Sequence, residues 1–230
     1  MERRDFLKKF FISILALSNI GAIDPNPLII EEKKKIYLTV DDGPKKIESI
    51  LNQLKEGSKV TFFMIGELLN ARYFDACTVL EKGHIIGNHS HTHPEFSKIP
   101  ITKAKKEIEI THQLLEKIYE DAGIKNPMLF RFPYFDPGFY MKMDGEGFIG
   151  DPVKKKEISN FLKEIGYKIY NCNIDTEDWR YYTKQKKLDE IIKDGQSAKE
   201  NDIILIHELP ISISHVIPAI EEKYKSMVLS

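Results

Sequence analysis

Asp41 and Asp42 stand side by side at the end of the apolar run Ile36-Tyr37-Leu38-Thr39-Val40, and Gly43 and Pro44 stop the strand at once. Further on, His89, His91 and His93 fall within one short stretch. An acid-rich strand end and imidazoles four apart are the raw material of a divalent-cation site. On a helical turn His89 and His93 would lie on one side and grip one cation. Asp42 would complete a three-ligand set with positions left for water and substrate. Zinc takes such sets readily, and other divalent metals do too. The cation would lower the pKa of water toward about 7 and polarise a carbonyl oxygen. Asp41 then stays free as a general base. A ligand set alone means binding; a ligand set beside a free base points to hydrolysis. His91 alternates with the other two and is expected at a pocket wall or the surface.

A base needs a group that holds its orientation and charge. Arg131, between Phe130 and Phe132 in an apolar strand, is the candidate, with a planar two-bond pairing as the expected geometry. An amine leaving group needs a proton. His207 ends the apolar run Ile203-Ile204-Leu205-Ile206, and its pKa can be tuned near neutrality. An aspartate would hold its tautomer: Asp178 is the first choice and Asp175 the second. Trp179, the one tryptophan, is either plain core or an apolar wall for a small acyl group.

These residues need a scaffold that gathers strand ends. Strand-like runs occur at Lys35–Asp41, Lys59–Ile65, His84–Gly87, Met128–Phe132, Tyr167–Asn173 and Asp202–His207. Helix-like runs at Ile47–Leu54, Thr102–Tyr119, Ile158–Ile165 and Leu188–Ile192 alternate with them. Repeated βα units predict an α/β fold with a mostly parallel sheet. The polar candidates all sit at or just past strand C-termini, where a parallel barrel converges on one rim. No Gly-x-Gly-x-x-Gly follows the first strand, so a dinucleotide fold lacks its fingerprint. Tyr134–Asp151 reads as an irregular loop beside the rim.

The chain has 230 residues, 42% hydrophobic and 30% charged, enough for one domain with a full core. A net charge of −1 points to no nucleic-acid partner. The lysine runs Lys33-Lys34-Lys35 and Lys154-Lys155-Lys156 are expected to be solvated faces. At the N-terminus Arg3-Arg4 precedes the apolar stretch Phe10 to Ala22, which is short of the about 20 residues a membrane span needs. Residues 1–22 therefore read as a twin-arginine-like export signal, cleaved near Gly21-Ala22 or retained as an anchor. The expected location is periplasmic or cell-envelope. Cys77 and Cys172 are read as buried free thiols, although an oxidising compartment would permit one disulfide.

Five segments then carry a family resemblance. Thr39-Val40-Asp41-Asp42-Gly43-Pro44, His89-Ser90-His91-Thr92-His93, Arg131-Phe132-Pro133-Tyr134, Asp175-Thr176-Glu177-Asp178-Trp179 and Leu205-Ile206-His207 resemble, in order, the motifs of the polysaccharide deacetylase family. That family is also called the NodB-homology domain or carbohydrate esterase family 4. The resemblance implies a distorted (β/α) barrel in a single domain, about residues 35–226. It implies a metal-dependent hydrolase that removes N-acetyl groups from a peptidoglycan-like or chitin-like glycan and releases acetate. In this reading Asp41 is the base, and Asp42, His89 and His93 hold the metal: zinc first, with cobalt or nickel as alternatives. Arg131 orients the base, the Tyr134 backbone N–H helps bind the oxyanion, and Asp178 tunes His207 as general acid. Trp179 and Leu205 line the acetyl pocket. The partner implied is an N-acetylated glycan, not a protein. The same machinery would suit an O-acetyl ester or a small amide or formamide. An inactive glycan-binding protein would need neither base nor acid, and a non-haem iron oxygenase would place its two histidines and carboxylate on antiparallel strands. Val40 stands where phenylalanine is commoner in the family, and Phe135 where glycine often follows the tyrosine.

Overall fold

The computed structural model describes residues 33–141 and 147–230. The export-signal segment, residues 1–22, lies outside the described residues. Strand β1 (Lys35–Asp41) is the centre of the sheet. It is flanked by β2 (Thr61–Met64) on one side and β9 (Ile203–His207) on the other, both parallel to it. From β2 the sheet continues through β3 (Ile85–Asn88) and β4 (Leu129–Phe130) to β7 (Lys168–Ile169). From β9 it continues to β8 (Ile174–Asp175). The order β7-β4-β3-β2-β1-β9-β8 is parallel throughout, a curled, incompletely closed barrel of the distorted kind that the motifs imply. A further strand, β10 (Lys225–Met227), pairs with the first residues of β1, and no sequence signal had marked it.

Strands β1 and β9 are buried on both faces, which is why they read as continuous apolar runs. Ile36, Leu38 and Val40 are fully buried and belong to the main core cluster, with Ile204 and Ile206 of β9. The alternate positions, Thr39 and Asp41, face the barrel interior, where Arg131 meets them. A small interior cluster of Phe63, Leu129 and Leu229 fills the space beneath.

The helices close the outside. They are α1 (Ile47–Leu51), α2 (Gly66–Ala71), α3 (Tyr73–Glu81), α4 (Ile101–Asp121), α5 (Pro152–Glu164), α6 (Leu188–Gly195) and α7 (Ile217–Lys223). Helix α4 buries Ala104, Ile108, Thr111, Leu115 and Ile118, the stripe its spacing predicts, but Glu107 lies in the same stripe. Helix α5 begins with Asp151, whose side chain accepts the Val153 N–H, and Pro152 at its first turn.

Four expectations change. The run Tyr167–Asn173 is not one strand: β7 ends at Ile169 and β8 starts at Ile174, so the chain passes there from one edge of the sheet to the other. Tyr134–Asp151 is not an irregular loop. It carries an antiparallel hairpin, β5 (Phe139–Met141) with β6 (Phe148–Gly150). Lys154 is not simply solvated, because its Nζ donates to the carbonyls of Ser97 and Ile99, both at 2.9 Å. Cys77 and Cys172 are free and half-buried, not fully buried. Among the described residues no helix is long and apolar enough to cross a membrane.

Candidate active site

The rim at the strand C-termini holds a cavity of about 400 Å³. Asp41, Asp42, His89, His93, Tyr134, Trp179, Leu205 and His207 all line it, so eight of the ten sequence candidates meet in one place. The other two, Arg131 and Asp178, are fully buried behind Asp41 and His207.

Asp42 turns out of β1 in the left-handed region, φ 73°, a conformation aspartate tolerates better than most residues. That turn separates the two neighbouring carboxylates. Asp42 Oδ1 lies 3.1 Å from His93 Nε2 and 3.5 Å from His89 Nε2. The two imidazole nitrogens are 3.2 Å apart. Ligands about 2.05 Å from a tetrahedral ion are about 3.3 Å from one another. The donor set, two imidazoles and one carboxylate, thus has the chemistry and the spacing of a divalent-cation site. His89 Nδ1 donates to the Arg131 carbonyl at 2.8 Å, which leaves Nε2 as the lone-pair nitrogen on the cavity side. Burial alone would raise the Asp42 pKa, but the contacts with His89 and His93 overcome it and hold the carboxyl well below its usual range.

The two histidines do not share a helical turn. They follow β3 on a loop in which Ser90 (φ 63°) and His93 (φ 58°) are left-handed. Local hydrogen bonds set this course: the Ser90 N–H donates to Asn88 Oδ1 at 2.9 Å, and the His93 N–H to Ser90 Oγ at 3.1 Å. His91 lies outside the metal-ligand group, which comprises Asp42, His89 and His93.

Arg131 crosses the barrel interior from the end of β4 to β1. Its Nη1 donates to Asp41 Oδ1 and to Thr39 Oγ1, both at 2.8 Å. Nε and Nη2 donate to the carbonyls of Tyr170 and Asn171 at 3.3 and 3.2 Å. The pairing with Asp41 is therefore a single bond, not the planar two-bond fork expected, because the other nitrogens are taken by backbone carbonyls. The guanidinium carbon sits 4.2 Å from the Phe63 ring centroid. Asp41 Oδ2, the oxygen Arg131 leaves, is 3.7 Å from His89 Nε2 and faces the ligand group.

Across the cavity His207 Nδ1 donates to Asp178 Oδ1 at 2.6 Å, and the His207 backbone N–H to Asp178 Oδ2 at 2.7 Å. Ser212 Oγ adds a further bond to Asp178. Asp178, not Asp175, is the partner. Burial pulls the His207 pKa down, but the bond and charge of Asp178, with Asp41 and Asp42 behind, raise it to about 9. Asp175 lines the cavity with its carboxyl on the Glu177 N–H, and its pKa is raised by burial. Trp179 is 42% exposed, which removes the core alternative and leaves it as a cavity wall with Leu205. Tyr134 is left-handed (φ 56°), and its ring packs on His93 at 4.6 Å between centroids.

Comparison with known proteins gives this geometry a relationship. A family model described as polysaccharide deacetylase matches residues 30–139. A peptidoglycan-N-acetylglucosamine deacetylase of Bacillus cereus is 31% identical over 183 residues, covering 76% of this chain and 73% of that protein. The chain belongs to the polysaccharide deacetylase family. A second relative, the peptidoglycan-N-acetylmuramic acid deacetylase PdaC of Bacillus subtilis, is 28% identical over 199 residues. That match covers 85% of this chain but only 36% of PdaC. The crystal structure of the polysaccharide deacetylase Bc1974 from Bacillus cereus superposes with a TM-score of 0.66 at 29% identity, covering 86% of this chain and 93% of that one.

In this member of the polysaccharide deacetylase family, two supporting carboxylates escaped the sequence reading. Glu107 of α4 accepts the backbone N–H groups of His91 and Thr92 and the Thr92 hydroxyl, at 3.1, 2.7 and 2.9 Å, and so fixes the histidine loop. A charge falling within the apolar stripe of α4 is the signal that could have marked it. Glu208, next to His207, accepts the N–H groups of Lys45 and Lys46 and pins the turn that follows Asp42. Its carboxyl lies so close to Gly43 that any side chain there would strike it, with 2.9 Å from an added Cβ to Cδ. No pattern in the sequence announced Glu208.

Proposed function

We propose that the chain is a metal-dependent hydrolase that removes N-acetyl groups from an acetylated glycan, releasing acetate and a free amino sugar. The observation that carries this reading is the meeting, around one cavity, of an Asp42–His89–His93 group, a carboxylate bound to Arg131 and an imidazole bound to Asp178. The names of the relatives, which act on peptidoglycan N-acetyl groups, support the substrate class.

Asp42, His89 and His93 would hold the cation, with zinc as the first choice and cobalt or nickel next. When bound, it would acidify water and polarise the acetamide carbonyl. Asp41 accepts the proton of the attacking water on Oδ2, since Oδ1 is held by Arg131. Arg131 fixes the orientation of Asp41, and Arg131 is itself held by the carbonyls of Tyr170 and Asn171 and by the Phe63 ring. The Tyr134 N–H donates to the oxygen that gains charge as the carbonyl carbon becomes tetrahedral. His207 has Nδ1 committed to Asp178, so Nε2 carries the proton that the departing amine takes. Trp179 and Leu205 enclose the acetyl methyl group. The twin-arginine-like segment, residues 1–22, fits export to the cell envelope, where such a glycan is found.

Acetate release from peptidoglycan fragments, N-acetylglucosamine oligomers and acetylated xylan, with metal content measured in parallel, tests the reading. Chelation should abolish release, and zinc should restore it. Release from xylan alone would make the enzyme an ester hydrolase. A metal-loaded protein that releases no acetate from any of the three would overturn the proposal.

A further inference from the structure

The strand that no sequence signal marked, β10, runs along the end of the barrel away from the cavity. It pairs with the first residues of β1, and the Lys59 N–H, just ahead of β2, donates to the Ser226 carbonyl at 2.9 Å. Glu221 of α7, fully buried, fixes this course. It accepts the Ser58 hydroxyl at 2.6 Å, the Lys55 N–H at 3.1 Å and the Ser226 hydroxyl at 2.5 Å. A buried carboxylate with three donors is fully satisfied, so the segment it holds is firmly placed. The hydrolysis described above uses none of these residues.

Beyond β10 the chain enters the barrel. The Leu229 N–H donates to Thr61 Oγ1 at 3.0 Å, and the buried Leu229 side chain packs in one cluster with Phe63 and Leu129. Thr61 and Phe63 are two apart on β2 and so share its interior face. One residue further on, the Ser230 carbonyl accepts the Tyr170 hydroxyl at 2.7 Å.

Phe63 and Tyr170 have one thing in common: both hold Arg131. The Phe63 ring supports the guanidinium carbon at 4.2 Å, and the Tyr170 carbonyl accepts Nε at 3.3 Å. A bond that long keeps its geometry only where the acceptor is fixed by other contacts. A ring in a filled interior likewise stays in place only while its far side is packed. We propose that residues 225–230 are a positioning segment for the chemistry. Leu229 backs Phe63 and Ser230 backs Tyr170, and together they keep the guanidinium where Nη1 meets Asp41. The inference rests on the deacetylase reading, in which Asp41 is the base. It adds to that reading a residue, Leu229, that acts from the opposite end of the barrel and touches neither substrate nor metal ligand.

Two readouts on the zinc-loaded protein test this. The first, hydrogen exchange of the Arg131 Nε–H followed by heteronuclear NMR, needs no turnover. Leu229→Ala should speed that exchange about tenfold. Leu229→Met, which conserves volume, should leave it at the parent value. Leu80→Ala, which empties a comparable space in the main core under α3, should leave it unchanged too. The second readout is acetate release from N-acetylglucosamine oligomers. Leu229→Ala should lower kcat about tenfold, with KM and zinc affinity within about twofold of the parent, because the cavity walls and the ligand group are untouched. If Leu229→Ala does not fold, Leu229→Val and Tyr170→Phe carry the same comparison, each with a several-fold effect in both readouts. Arg131 exchange that is no faster in the Leu229 variants than in Leu80→Ala overturns the proposal. So does a kcat loss that Leu80→Ala reproduces at equal melting temperature, or one accompanied by an equal loss of zinc affinity. A zinc-loaded parent that releases no acetate, while Leu229→Ala still loosens Arg131, would sink the deacetylase reading and leave the positioning segment.

Discussion

Asp41 and His207 are register partners on adjacent parallel strands, β1 and β9. The carboxylate proposed to take a proton and the imidazole proposed to return one therefore stand at the same height on the rim, separated by one strand spacing. Each is backed by a buried partner of opposite charge: Arg131 behind Asp41, Asp178 behind His207. The two roles separate experimentally. Asp41→Asn should retain bound metal, because Asp41 is outside the ligand triad, and should lose acetate release on the order of a thousandfold. Metal analysis beside kcat decides it. Parent-like turnover in that variant would remove Asp41 from the chemistry.

The pH profile should report the other partner. In its proposed role His207 can act as an acid only while protonated, and its pKa is raised to about 9. The rate should hold toward that pH and fall above it as the proton is lost. Asp178→Asn removes the bond and charge that oppose the effect of burial, so the alkaline fall should begin roughly one unit or more lower. Parent and variant are compared at equal metal loading, so the cation's own field cancels. An unmoved alkaline limb would show that the pair does not control the profile.

What could be read from sequence follows from what each residue does locally. The strand ends at Asp41 and His207 were legible because buried parallel strands are continuous apolar runs that stop at polar residues. The grouping of Asp42, His89 and His93 was legible from residue type, but not its backbone. A four-residue spacing suggests a helical turn, whereas the loop reaches the same end through left-handed Ser90 and His93. The hairpin was missed because its strands have three residues each and Gly, Asp and Met break the alternation. Arg131 was placed correctly beside Asp41, but its remaining hydrogen bonds are to carbonyls distant in sequence. Local pattern holds no information about those.

Glu208 gives a prediction that sequence could not have offered. It touches no cavity ligand, yet it anchors the Lys45 and Lys46 N–H groups of the turn that Asp42 opens. Glu208→Ala frees that turn and should weaken zinc affinity about 10- to 100-fold, the usual effect of losing a support behind a ligand. Glu208→Gln keeps an acceptor oxygen and should recover much of the loss. Zinc competition with a chromophoric chelator measures both, independently of turnover. Affinity unchanged in the alanine variant would rule out this positioning role.

The orientation of Arg131 is coupled to Gly87 on β3, the strand paired with β4. A Cβ at Gly87 would come within 2.7 Å of the Phe63 ring and 3.0 Å of the Leu129 carbonyl. Backbone closes one side, so the ring must move, and that ring supports the Arg131 guanidinium at 4.2 Å. Gly87→Ala should therefore cost about 1–3 kcal/mol in urea unfolding, as overpacking of a filled interior does. It should also lower kcat more than it changes KM, because the displaced ring disturbs Arg131 and through it Asp41, not the substrate walls. A double variant, Gly87→Ala with Phe63→Leu, restores room for the methyl group and should recover stability. Without the aromatic face under the guanidinium, it should not recover the full rate. Recovery of both together would show that Phe63 acts only as filler and that Arg131 is held by its hydrogen bonds alone.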